Sequence, residues 1–178
     1  MKRVPLLLLF MVTTMMSMAQ GVFNNQTNAA LQKVIEDYPN RFKNIKGDLL
    51  KENSGSADYR SKVQIPGSLN CVISQASQPA TVTNWKCSVF VTSEYDKARQ
   101  KFQELYDQIS NTIIRIKGQK PFILNGSYTT PDQENKTTAI RFQMTPAPEC
   151  VQNLRVEISM CYNEDWEVIL SVNDQLIY

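Results

Sequence analysis

From Leu154 to Val172 apolar side chains fall on every second residue, and this spacing commits the end of the chain to an antiparallel hairpin. Leu154, Val156, Ile158 and Met160 alternate with Arg155, Glu157 and Ser159; after Asn163-Glu164-Asp165 the pattern resumes as Trp166, Val168, Leu170 and Val172. Neighbouring strand residues point to opposite faces, so one face of this hairpin is apolar and the other polar. Folding about the Asn163–Asp165 turn sets Met160 against Val168 and Ile158 against Leu170. The face carrying Arg155, Glu157 and Glu167 then lies outside.

A second hairpin carries its own check on register. Val63, Ile65, Leu69, Cys71 and Ile73 share odd numbering over Ser61–Ser74, with a bend at Pro66-Gly67. Trp85, Cys87, Val89 and Val91 share a face in the strand Trp85–Thr92. Centring the hairpin on Pro79 opposes Leu69 to Val89, Cys71 to Cys87 and Ile73 to Trp85. Directly opposed strand residues lie about 4.5–5.5 Å apart between Cα atoms, within the span of a disulfide. The same register thus satisfies apolar pairing and joins Cys71 to Cys87.

Cys150 and Cys161 are the remaining pair. In an unbroken strand Cys161 lies about 20 Å from the beginning, at roughly 3.3 Å per residue, and faces away from the Leu154–Met160 stripe. Three outcomes stay open: the loop Pro146–Asn153 doubles back to form a Cys150–Cys161 bridge, the connectivity is mixed, or both remain thiols.

Helical spacing appears twice. Leu31, Val34, Ile35 and Tyr38 define one face of a helix from Asn28, its N-cap, to Tyr38, where Pro39 interrupts. A second helical piece, Asn40–Lys46, would bury Phe42 and Ile45 and end at Gly47 as a C-cap glycine. Ala98, Phe102, Leu105, Ile109 and Ile113 mark a longer helix, capped by Ser93 with Asp96 in its first turn. Strands follow at Phe122–Tyr128 and around Ile140, Phe142 and Met144. The expected fold class is α+β: a predominantly antiparallel sheet with helices packed on one face, in the order α-β-β-α-β-β-β-β.

The N-terminus has the parts of an export signal. Lys2 and Arg3 precede the apolar run Leu6–Met16, and Ser17-Met18-Ala19 offers small residues for cleavage before Gln20. A spanning helix wants about 20 apolar residues, and this run is shorter. The expected division is residues 1–19 as signal peptide, 20–27 as a flexible segment and 28–178 as one α+β domain. Cleavage removes two of 19 basic residues and none of 17 acidic ones, leaving 17 of each. A neutral domain with interleaved charges offers no basic face for nucleic acid. After cleavage nothing is left to embed in a membrane, and the product is secreted or periplasmic, where an even cysteine count favours disulfides.

Histidine is absent from the chain. Ser-His and Cys-His nucleophiles, a histidine base and histidine-bearing metal sites are therefore excluded, and no cofactor or metal motif is present. Three acidic pairs remain: Asp132 with Glu134, Glu164 with Asp165 beside Trp166, and Glu94 with Asp96. Turn chemistry accounts for the first two and helix-dipole compensation for the third. Paired carboxylates across a cleft nevertheless hydrolyse glycosides, with Asp132 or Glu134 opposite Glu164 or Asp165 as the pairing to test and Trp166 as a sugar platform. Asn25, Asn125 and Asn135 begin Asn-X-Ser/Thr triplets. The expectation is an exported, non-enzymatic binding domain for an envelope or extracellular protein or glycan. A carboxylate-dependent glycan hydrolase, or an inhibitor or accessory subunit of a secreted enzyme, is the alternative.

Overall fold

A computed structural model describes residues 19–76 and 82–174, with side chains from Gln26 onward. The signal-peptide assignment therefore falls almost wholly outside the described residues. Helix α1 spans Ala19–Asp37; strands β1 (Lys46–Asn53), β2 (Ser56–Ser61), β3 (Asn70–Ala76) and β4 (Val82–Thr92) follow it. Helix α2 is Tyr95–Ile109. The chain finishes with β5 (Ile113–Ile114), β6 (Phe122–Asn125), β7 (Thr137–Thr145), β8 (Leu154–Asn163) and β9 (Asp165–Asp174).

All nine strands join one antiparallel sheet in the order β1-β2-β3-β4-β9-β8-β7-β6-β5. Two meanders, one on each side of α2, meet where β4 pairs with β9. Both hairpin registers hold: Cys71 opposes Cys87 and Ile73 opposes Trp85, while Met160 opposes Val168 and Ile158 opposes Leu170. Neighbouring strands extend the apolar stripe, with Ile140 beside Ile158, Phe142 beside Val156 and Trp85 beside Val172.

Helix α2 crosses β4, β8 and β9, and α1 packs on α2. Ala98, Phe102, Leu105 and Ile109 of α2 are buried in one cluster with the sheet stripe and with Leu31, Val34 and Ile35 of α1. The Cys71–Cys87 disulfide is formed and both cysteines are buried in this cluster.

Several local expectations are corrected. Helix α1 starts at Ala19, ahead of Asn28, and buried Thr27 extends its packed face one turn upstream of Leu31. The segment 20–27 is thus helical, and Asn28 is internal to the helix rather than its cap. After Asp37 the chain makes one 3-10 turn, Tyr38–Asn40, and Phe42 and Ile45 are buried from a loop rather than a helix. Buried Asp37 organises that loop, its carboxylate accepting from Asn40 Nδ2 and from the backbone N–H groups of Asn44 and Ile45. Gly47 caps nothing. It sits in β1, where an added Cβ would lie 2.8 Å from the Arg60 carbonyl oxygen, so glycine answers to close strand approach.

Hairpin β1–β2 occupies a segment for which no strand is expected from the sequence, and the observed order is α-β-β-β-β-α-β-β-β-β-β. Leu69 lies just before β3 and is 64% exposed rather than opposite Val89. A bulge between Ser88 and Phe90 shifts β4 by one residue against β9. That shift turns Val91 out to solvent at 40% exposure and sets Phe90 opposite Val168. Helix α2 begins at Tyr95 with Glu94 as its N-cap rather than Ser93, and Ile113 leaves the helical face for the short strand β5.

The outer edges of the sheet are managed in different ways. Strand β1 carries two register irregularities and alternates Lys46, Asp48, Lys51 and Glu52, all of which blunt edge pairing. At the opposite side, just beyond β5, the Gln32 amide of α1 accepts from the Arg115 N–H at 3.0 Å and donates to the Arg115 carbonyl. One side chain thereby fills the place that a further strand would take.

Candidate binding surface

The three acidic pairs converge on one end of the sheet. Thr92 pairs with Trp166, which brings the turn bearing Glu94 and Asp96 beside the β8–β9 tip. The Tyr162 N–H donates to the Lys136 carbonyl at 2.8 Å, which brings the turn of Asp132 and Glu134 to the same place. Trp166 sits between Tyr95 and Tyr162, each ring centroid 5.1 Å from its own, and the Tyr95 hydroxyl donates to the Pro131 carbonyl at 2.6 Å.

Proximity does not make these acids a reaction centre. The Asp132 carboxylate accepts from the Glu134 N–H (3.0 Å) and the Asn135 amide (2.8 Å), building its own turn. Glu94 pairs with Lys97 and Asp96 with Arg99, three residues along one exposed helix. None of these side chains lines any groove described below. Trp166 is only 4% exposed, so it packs the sheet end and offers no platform to a sugar; Tyr162, 41% exposed, is the accessible ring there. Among the described residues no group of three metal-ligating side chains occurs.

Cys150 and Cys161 are both free and half-buried. Cys150 lies in the 3-10 turn Glu149–Val151, ahead of β8. Cys161 sits seven residues along β8, opposite Thr137 on one side and Glu167 on the other. An unbroken β8 holds the two thiols apart, as its rise requires.

Burial pushes the Cys161 thiol above the ordinary thiol range, Glu167 adds to the rise, and Lys86 opposes it. A raised pKa means less thiolate at a given pH, and thiolate is the reacting form. Alkylation at Cys161 is therefore expected to be slower than at a solvated cysteine near pH 8 and to keep accelerating at higher pH. Glu167→Gln should bring the midpoint down. Mass spectrometry of iodoacetamide-treated protein checks both; equal rates in the two proteins across the pH range would contradict the assignment.

Several concave regions among the described residues carry polar chemistry, and three of them lie beside the sheet edges and turns described above. The first, about 640 Å³, runs beside β7 and is lined by Asn125, Gly126, Ser127, Thr129, Arg141 and Gln143, with Ala139 and Ile140. Its groups are neutral hydrogen-bonding side chains, apart from Arg141, which is held by Glu157 at 2.8 Å on the adjacent strand. Residues 126–129 form its far wall, and the segment that begins there is tied to α2 at two points. The Tyr106 hydroxyl donates to the Gly126 carbonyl and the Tyr95 hydroxyl to that of Pro131. Gly126 lies so close to Phe142 that an added Cβ would come within 2.9 Å of the ring.

The second, about 200 Å³, is lined by Tyr38, Arg41, Phe42, Thr83, Cys150 and Asp174, with Pro39. Tyr38 donates its hydroxyl to the Asp174 carboxylate, and burial together with that carboxylate holds its pKa well above the usual phenol range. The third, about 550 Å³, brings Leu50, Leu69 and Val72 together with Arg60 and Gln64 beside the β1–β2 hairpin.

None of these grooves was assigned from the amino-acid order. The nearest signals were the triplet Asn125-Gly126-Ser127 and the odd-numbered phase of β7, opposite to the Ile140–Met144 stripe. Comparison with known proteins adds no constraint: no family model, curated protein or solved structure matches the chain significantly.

Proposed function

We propose that this chain is an exported binding domain without catalytic activity, and that the groove beside β7 is its ligand site. The observation that carries the reading is the lining of that groove: amide and hydroxyl groups, one ion-paired arginine and no pair of free carboxylates. Such a surface recognises hydrogen-bonding ligands and has nothing with which to move a proton. Its 640 Å³ falls in the ordinary range of ligand clefts. The expected export signal and the Cys71–Cys87 bridge support placement outside the cytosol, among envelope or extracellular partners.

The test pairs binding with turnover. Arrays of envelope glycans and peptides are probed with the purified chain and with Ser127→Trp, which fills the groove. Retention of at least one ligand class by the parent, lost by at least about tenfold in Ser127→Trp, is the expected result. Hydrolysis of an arrayed glycan that disappears in the double variant Asp132→Asn, Glu164→Gln would instead establish the carboxylate-hydrolase reading and overturn this one.

A further inference from the structure

The binding reading rests on side chains; the backbone of the same groove says what kind of ligand fits it. In an antiparallel ladder, hydrogen-bonded pairs exchange two bonds and alternate with pairs that exchange none. The bond from the Tyr162 N–H to the Lys136 carbonyl fixes the phase of the β7–β8 ladder. Thr138, Ile140 and Phe142 turn their backbone groups toward β8, and Thr137, Ala139 and Arg141 turn theirs the other way. On that other side β6 pairs only as far as Asn125, its last residue, opposite Gln143. Among the described residues, the N–H and C=O groups of Ala139 and Arg141 have no hydrogen-bond partner. They face the 640 Å³ groove.

This bare edge contrasts with the outer two. Beyond β5 the Gln32 amide occupies the edge groups of Arg115, and β1 is irregular and charged. Unprotected strand edges recruit other strands, and a short one inside a walled groove recruits a single extended segment. A second copy of this chain is a poor fit. Edge-to-edge pairing needs both edges clear, and each copy carries segment 126–129 alongside its own β7.

We infer that the groove takes an extended peptide of a partner protein by strand addition to β7, at Ala139 and Arg141. The groove also states the side chains it tolerates. Added-strand residues alternate between the two faces of the sheet. On the apolar face, Gly126 is pressed against Phe142 and Ile140, so peptide residues pointing that way must be small: glycine, alanine or serine. On the other face they meet Arg141, Gln143 and Asn125, and polar side chains fit there. The occupant is an extended segment alternating small and polar residues, held by main-chain bonds with specificity from alternate positions.

The experiment uses a phage-displayed library of random nine-residue peptides panned against the purified chain, with selected sequences resynthesised. Selected peptides should show the small–polar alternation. Their binding should slow amide hydrogen exchange at Ala139 and Arg141 at least about tenfold, leaving the β1 amides unchanged. N-methylating a peptide amide that faces β7 should weaken binding by up to about tenfold, the loss of one main-chain hydrogen bond. Ala139→Pro, which removes an edge N–H at a position where proline is tolerated, should do the same. Should that variant fold poorly, the N-methyl series decides alone, because it leaves the protein intact.

Three results overturn strand addition: no peptide selected, protection appearing at β1 instead, or affinity indifferent to N-methylation. A ligand that shifts the resonances of Asn125, Ser127 and Gln143 yet ignores N-methylation overturns strand addition and leaves the binding reading standing. A groove silent to peptides and glycans alike overturns both.

Discussion

Trp85→Ala should cost about 4 kcal/mol of stability, within the range for emptying a buried aromatic site. Trp85 is fully buried on β4, opposite Ile73 of β3 and Val172 of β9. It thus stands where the two meanders of the sheet meet. Its Nε1–H donates to Ser61 Oγ at 3.0 Å, and Ser61 Oγ in turn accepts from the Val63 N–H and donates to the Val63 carbonyl. The side chain therefore fills volume and ties down the end of β2 together. Trp85→Phe separates the two roles: it keeps most of the volume, loses the hydrogen bond, and should cost about 1–2 kcal/mol. Urea unfolding followed by circular dichroism measures both. A loss below about 1 kcal/mol for Trp85→Ala would mean that the two meanders are not joined as described.

Removing the Cys71–Cys87 bridge should have the next largest effect. The bonded cysteines are separated by 16 residues, and closing a loop of that length is worth about 3 kcal/mol in the chain-entropy account. For a domain of this size that corresponds to a fall of about 6–12 °C in Tm. Calorimetry of the parent protein with and without reductant, beside the Cys71→Ala, Cys87→Ala double variant, reads the effect. The double variant should also become insensitive to reductant. A parent whose Tm moves less than about 2 °C on reduction would place the bridge outside the cooperative unit.

What could be read in advance follows a physical divide. The hairpins β3–β4 and β8–β9 were legible because each had one dry face. Burial on one side pins register, since a slip of one residue would expose every apolar side chain. Cys71 and Cys87 added a second constraint satisfied by the same register. Strands β1 and β2 were not legible for the opposite reason. Leu49 and Leu50 are adjacent and both exposed, so no alternation marks the edge hairpin, and Gly47 resembles a helix stop when its packing partner Arg60 is unknown. The bulge that turns Val91 outward is likewise a property of the β4–β9 pairing, between segments some 75 residues apart in sequence.

The candidate site was hidden more deeply. The acidic turns were found by composition, and they do meet at one sheet end. The carboxylates of Asp132, Glu94 and Asp96 are engaged in a turn and in helix pairs, as the rules for those residues predict. The groove beside β7 has no signature, because it is defined by where β6 stops pairing. No residue type records the place at which a neighbouring strand leaves.

The contact between Gln32 and Arg115 sets the width of the molecule. A β-sheet has no intrinsic stopping rule; each added strand presents a fresh template for the next, and an untended margin leads to fibres. Here the terminus is written in a single carboxamide that imitates one peptide unit, and its further hydrogen bond goes to Glu36 on its own helix rather than to another strand. Counting stops because the last partner has no backbone edge to present.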